Sequence, residues 1–149
     1  MKYQITCIGK ASNTPEQSLI NKYLKRLGKK IIIKEISKKY ENFDNLYDQD
    51  KKLFALSPKN SFLILLDREG SNFTTQKLVQ TIKNCQNQNY KIVNFIIGGY
   101  LGNGNYIKKK ANYILSFGQL TWSHLMARIM IIEQLYRIES IFNNHPYHK

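Results

Sequence analysis

The sequence predicts an α/β fold on a mostly parallel sheet, in one domain spanning residues 1–149. Three observations predict it. Strand-like and helix-like stretches alternate along the chain with short connections. Two strand candidates, Ser61 to Asp67 (SFLILLD) and Lys91 to Ile97 (KIVNFII), are continuous or nearly continuous apolar runs, as in strands covered on both faces. In the C-terminal half, glycine-bearing loops follow directly on strand candidates. Such loops stand at the carboxyl ends of a sheet, where open α/β sheets bind ligands.

Taken in order, Lys2 to Gly9 alternates polar and apolar residues as a half-buried strand. Thr14 is placed to cap a helix, with Pro15 at its first position and Gln17 three residues on from the cap. That helix carries Leu19, Ile20, Tyr23, Leu24 and Leu27 on one side, and Gly28 ends it. A second strand covers Lys30 to Ile36. Ser37 to Asp50 is polar, mixed in charge, and reads as a surface loop. A helix over Asp44 to Leu56 overlaps it, with Leu46, Leu53, Phe54 and Leu56 inward and Pro58 closing it. The SFLILLD strand ends in a polar turn, Asp67 to Gly70. Thr74 or Thr75 then starts a helix that runs to about Cys85. Tyr113 to Phe117 is the last strand and Gly118 to Trp122 a loop, after which Ser123 caps the final helix. Leu125, Ile129, Ile132, Leu135, Tyr136 and Ile138 make its apolar stripe. Met126, Met130, Ile131, Ile141 and Phe142 broaden it, so the helix is apolar on more than one face. One face must cover the sheet, and the other is expected to cover a second subunit.

Composition bounds the function. A chain of 149 residues, 42% of them hydrophobic, buries a core without help from disulfides or metals. No apolar run approaches the roughly 20 residues of a membrane span. The start, MKYQITCIGK, lacks the apolar region and cleavage site of a signal peptide. Cys7 and Cys85 show no CxxC or Cys/His spacing, which argues against a zinc site and fits a reducing cytoplasm. Neither a membrane nor a metal is expected as a partner. The net charge of +13 points to a polyanion such as RNA. Lysines outnumber arginines 19 to 4 and Asn and Ile are abundant, so the bias of an AT-rich coding genome is another account of the charge.

The candidate chemistry lies in the C-terminal half. Gly98 and Gly99 follow directly on a strand, with Gly102 and Gly104 close behind. Such glycines allow positive φ and let a ligand approach the backbone, although a tight turn without a ligand uses them too. The spacing is neither GxGxxG nor GxxxxGK[ST], so neither a dinucleotide fingerprint nor a P-loop is supported. Lys108, Lys109 and Lys110 diverge on a short helix and read as a solvated face, with phosphate contacts the other use of such a run. Arg128 and Arg137 interrupt the apolar surface of the final helix, and each needs a partner. Glu133 supplies one for Arg137 at i, i+4. Around Arg128 those positions hold His124 and Ile132, which leaves it as a site candidate. All three histidines, His124, His145 and His148, lie in this segment. Two share the tail NNHPYHK with Tyr147, and bases stack on Tyr and His.

The run LSFGQLTWSHLMARIMIIEQLYRIESIFNNHPYHK closely resembles the C-terminal segment of the ribosomal RNA large subunit methyltransferase H family, part of the SPOUT class of knotted methyltransferases. The LLD of Leu65 to Asp67, the IIGG of Ile96 to Gly99 and the overall length extend the resemblance over the whole chain. Its most specific parts are T-x-x-H at Thr121 to His124, E-Q-x-Y-R at Glu133 to Arg137 and the terminal YHK. The resemblance implies helices on both faces of the sheet, a deep trefoil knot in the C-terminal part and a homodimer. It implies methyl transfer from S-adenosylmethionine to N3 of a helix 69 pseudouridine in 23S rRNA, within the large subunit or the assembled ribosome. Carried over by motif, the cofactor contacts are Leu66, Gly98 and the loop of Phe117, Gly118, Gln119, Leu120, Thr121 and Trp122. Arg128, His145, Tyr147 and His148 lie on the substrate side. Arg128 is expected to stabilise charge developing on the base, and His124 and His148 are the candidates for general base.

Two positions depart from the family pattern. Ser123 stands where Pro usually precedes the His. The glycine loop, commonly GGPEG or GGSNG, reads GGYLG, with Tyr100 and Leu101 making it less polar. A non-catalytic RNA-binding or ribosome-associated protein is the alternative reading, which predicts the charge without a cofactor pocket. A flavin- or nucleotide-binding α/β protein is a third, against which the missing phosphate-cradling loop counts.

Overall fold

The computed structural model describes residues 1–37 and 45–148, the side chain of His148 excepted. Five strands, β1 (Lys2–Ile8), β2 (Ile31–Ile36), β3 (Phe62–Asn72), β4 (Ile92–Ile97) and β5 (Tyr113–Ser116), form one sheet in the order β2-β1-β4-β3-β5. Every pairing is parallel. Parallel neighbours need crossover connections, and helices supply them. These are α1 (Glu16–Leu27), α2 (Leu46–Ala55), α3 (Thr75–Asn87), α4 (Asn105–Lys110) and α5 (His124–Phe142).

Both faces of the sheet are covered. On one face Ile20 and Leu27 of α1, Leu78 and Ile82 of α3, and Ile131, Ile132, Leu135 and Ile138 of α5 pack on Ile5, Ile64, Phe95 and Leu115. On the other, Leu53 of α2 and Ile107 of α4 pack on Ile8, Ile36, Leu63, Leu65 and Ile96. Central β4 is buried from Val93 to Ile97, which explains its apolar run. Its polar exception, Asn94, belongs to a buried strip of hydrogen bonds under α2. Asn94 accepts from the Thr6 hydroxyl at 2.9 Å and donates to Ser57 Oγ at 2.8 Å. Gln4 donates to the Leu56 carbonyl at 2.8 Å. These bonds tie the end of α2 to the sheet. Cys7 and Cys85 are both buried, and burial pushes their thiols up to about 12 and about 11.

Several local expectations need correction. β3 does not stop at a polar turn. It continues to Asn72, and its pairing with β5 shifts register between Leu66 and Ser71, so Asp67 to Gly70 bulge out of the ladder. Thr14 does not cap α1 through its side chain; its hydroxyl donates to the Ala11 carbonyl at 2.6 Å. Leu19, expected inward, is 40% exposed. In α2 the cap is Asn45, which accepts from the Asp48 N–H, and the buried positions are Gln49, Asp50 and Leu53, while Leu56 is exposed. The expected loop from Ser37 lies outside the described residues over positions 38–44. Thr74 and Ser123 do cap α3 and α5, each accepting from the third N–H of its helix. α1 of the same chain packs against α5, and Ile20, Tyr23, Leu24 and Leu27 share its core cluster. What stays uncovered lies at its start, where Met126 is exposed beside the exposed loop residues Leu120 and Trp122.

Candidate cofactor pocket

β3, β4 and β5 end side by side, and their carboxyl ends open into a cleft of about 770 Å³. Leu66, Ile97 and Leu115 form its floor. The glycine loop after β4 makes one wall, and the loop of Phe117, Gly118, Leu120, Thr121 and Trp122 makes the other. Ser123, His124 and Ala127 close it from the start of α5. Of the expected cofactor contacts, only Gln119 does not line the cleft.

The glycine loop is stiffer than its sequence suggests. The Gly102 N–H donates to the Gly99 carbonyl at 3.0 Å, with Gly102 at φ +80°. A Cβ at Gly98 would lie 2.4 Å from Asn103 Oδ1 and 2.7 Å from the Gly102 carbonyl oxygen. The loop's own closure therefore demands the glycine, whatever binds beside it. Asn103 Nδ2 donates to the Leu66 carbonyl at 3.0 Å and to Asp67 Oδ2 at 2.9 Å, while its buried Oδ1 has no hydrogen-bond partner. In the second loop Ser116 Oγ accepts from the Gly118 N–H at 3.1 Å, and Gly118 sits at φ +106°.

The rim is charged. The β3 bulge carries Asp67, Arg68 and Glu69 to the cleft. Lys108 reaches across from α4 and pairs with Glu69 at 2.6 Å and Asp67 at 3.5 Å, while Lys109 and Lys110 stay exposed as the sequence suggests. Burial alone would raise the Asp67 carboxyl. Hydrogen bonds from Asn103 and the Glu69 N–H, with the Lys108 charge, outweigh burial and hold it below the usual carboxylate range. A carboxylate so stabilised is a poor proton acceptor.

The remaining site candidates separate. His124 lines the cleft and lies beneath Gly9, where a Cβ would come within 2.6 Å of its Cε1. Arg128 does have a partner, contrary to expectation. It is fully buried below the cleft, paired with Glu35 of β2 and donating to the Gly9 carbonyl at 2.9 Å. Helical spacing could not show a partner 93 residues away. Glu35→Leu leaves this buried guanidinium without its counter-charge, so urea unfolding should show a loss of roughly 3–5 kcal/mol. Arg137 does pair with Glu133, at 2.6 Å.

His145 and Tyr147 are not at the cleft. They follow the other end of α5, whose 19 residues span about 28 Å. There the tail folds back on its own chain. The Tyr147 ring packs edge-on against Tyr136 at 4.6 Å, with the guanidinium groups of Arg137 and Arg26 at 5.2 and 5.9 Å from its centre. Its hydroxyl meets that of Tyr23 at 3.3 Å, and that bond pushes the phenol up to about 12. The side chain of His148 and all of Lys149 lie outside the described residues. Among the described residues no group of three His, Cys, Asp or Glu could hold a metal ion, and no helix is long and apolar enough to cross a membrane.

Sequence reasoning missed Asn103, the Asp67–Lys108 pair and the buried Gln49 and Asp50. An asparagine between two glycines, and an aspartate closing a buried strand, were the only local signals.

Residues 1–148 match the family described as "Predicted SPOUT methyltransferase". The chain is similar to the Ribosomal RNA large subunit methyltransferase H of Halothermothrix orenii, 34% identical over 159 residues and covering 100% of both chains. It is also similar to that of Acholeplasma laidlawii, 32% identical over 149 residues, again covering 100% of both. More distant is the crystal structure of the SpoU methyltransferase AviRb from Streptomyces viridochromogenes with AdoMet. It is 13% identical with a TM-score of 0.47, over 91% of this chain and 57% of that one. The full-length matches, on a parallel sheet whose strand ends build this cleft, show that the chain belongs to the ribosomal RNA large subunit methyltransferase H family of SPOUT methyltransferases.

Proposed function

We propose that the chain transfers a methyl group from S-adenosylmethionine to N3 of the helix 69 pseudouridine of 23S rRNA, in the large subunit or the assembled ribosome, as a homodimer in the cytoplasm. The observation that carries this reading is the cleft between two glycine-bearing loops at the ends of β3, β4 and β5. Its residues fit the cofactor. Leu66, Leu115, Phe117, Leu120 and Trp122 offer apolar walls for an adenine ring, and the unused acceptor Asn103 Oδ1 awaits a donor.

The cofactor supplies a methyl group already activated by its sulfonium charge. The protein's task is to exclude water, align N3 in line and take up its proton. His124, at the cleft wall, and His148, brought by the tail of a second subunit, are the groups assigned to that proton. Arg128 is assigned a positioning role, since it is buried against the Gly9 carbonyl and does not line the cleft. His145 and Tyr147 belong to the substrate side of the partner's cleft.

Methyl transfer assayed on ribosomes and on free rRNA, with the modified atom mapped, tests the reading. Transfer to N3 of that pseudouridine is expected; a chain that binds ribosomes without binding S-adenosylmethionine would instead be a non-catalytic RNA-binding protein. The charge of +13 carries its own expectation. If about four lysines neutralise phosphates, log affinity for ribosomes should fall against log salt with a slope of roughly −3. A flat response would make the lysines a compositional bias.

A further inference from the structure

We propose that Gln49 and Asp50 of α2, neither of which lines the cleft, are positioning residues that set the glycine loop in its cofactor-binding shape. The proposal rests on the reading of the cleft as the S-adenosylmethionine pocket.

Asp50 is fully buried, and none of the ion pairs among the described residues includes it. Its two carboxylate oxygens accept from the N–H groups of Gly104 and Ile107, at 3.1 and 3.0 Å. Those are the cap position and third residue of α4, the two N–H groups that the reciprocal side chains of a capping box serve. Gly104 has no side chain to do so. A Cβ there would stand 2.5 Å from Asp50 Oδ2. The loop has thus given up a local cap for one borrowed from another helix. A carboxylate is costly to bury without such donors, so its place fixes theirs.

Gln49 is 2% exposed and donates to the Gly102 carbonyl at 2.8 Å, and its Oε1 sits 3.0 Å from where a Gly99 Cβ would be. α2 therefore grips the loop at Gly102, Gly104 and Ile107. Between the gripped groups stands Asn103, whose amide reaches Leu66 and Asp67 in the cleft. α2 itself is tied to the sheet through Gln4 and Asn94. An apolar contact would hold α2 against the loop without fixing which backbone groups meet. Paired hydrogen bonds specify the register.

The test uses the full-length chain with Gln49→Met and Asp50→Asn, which preserve size and remove a donor or one acceptor. S-adenosylmethionine binding is measured by calorimetry, KM for cofactor and for ribosomes by methyl transfer, and Tm by calorimetric scanning. Both variants are expected to raise the cofactor Kd and KM about tenfold, with kcat at saturating cofactor and KM for ribosomes near wild type. A merely structural role would lower Tm and the active fraction while leaving the cofactor KM unmoved, and that result overturns the proposal. Should Asp50→Asn not fold, Gln49→Met alone decides in the same way. A wild-type chain that does not bind S-adenosylmethionine would overturn the reading of the pocket and this inference with it. Variants that bind as wild type does overturn the inference alone.

Discussion

Mixing two inactive variants should restore roughly a quarter of wild-type methyl transfer. One variant carries Gly98→Val and keeps its tail; the other lacks Asn143 to Lys149 and keeps its cofactor loop. Within one subunit, cleft and tail stand at opposite ends of α5, about 28 Å apart. A tail that acts on substrate must therefore reach a different cleft. In a mixed dimer the truncated chain's intact cleft meets the tail of the Gly98→Val chain, and one complete site re-forms. Random re-pairing makes half the dimers mixed, each with one of two sites, hence about a quarter. Tails acting on their own clefts would restore nothing. The control is that both variants dimerise and exchange subunits, shown by mixing two tagged forms. No recovery despite exchange would refute the shared site.

Gly98→Val by itself is expected to abolish S-adenosylmethionine binding while the circular dichroism stays that of the native fold. The reason is local. The first added carbon would meet Asn103 Oδ1 at 2.4 Å and the Gly102 oxygen at 2.7 Å; the second is backbone, and the first belongs to a short side chain held through its Nδ2 to Leu66 and Asp67. The turn closed by Gly102 and Gly99 must open, and Asn103 must leave Leu66 and Asp67. Both cores, by contrast, lie on the sheet faces and contain no residue of this loop before Ile107. Calorimetric titration with S-adenosylmethionine checks the first half and far-ultraviolet dichroism the second. Undiminished binding would remove the loop from the pocket.

The parallel sheet was legible because burial on both faces writes itself as apolar runs, as in Phe62 to Leu66 and Val93 to Ile97. The cleft was legible as glycines placed straight after strands, and seven of eight expected cofactor contacts line it. The trefoil knot is what family membership implies, and no residue spacing points to one. Other features were hidden because they depend on pairs remote in sequence. Arg128 finds Glu35 across 93 residues, and Asp50 finds Gly104 and Ile107 across more than 50. The β3 bulge was read as a turn because Asp67 to Gly70 is polar, yet it is the strand's way of carrying charge to the rim. Gln49 and Asp50 fall in the polar stretch that reads as a surface loop. Their burial follows from acceptors and donors that the loop itself leaves open.

The docked tail has an entropic consequence. Fixing the backbone of a residue costs about 1–2 kcal/mol, so ordering His145 to His148 costs roughly 4–8 kcal/mol. Here that cost is offset inside a single chain, by the contacts of Tyr147 with Arg26, Arg137 and the Tyr136 ring. Neither a second subunit nor a ribosome has to organise the tail on arrival. A partner that meets this tail bears less of that ordering cost, which leaves more of its binding energy for affinity.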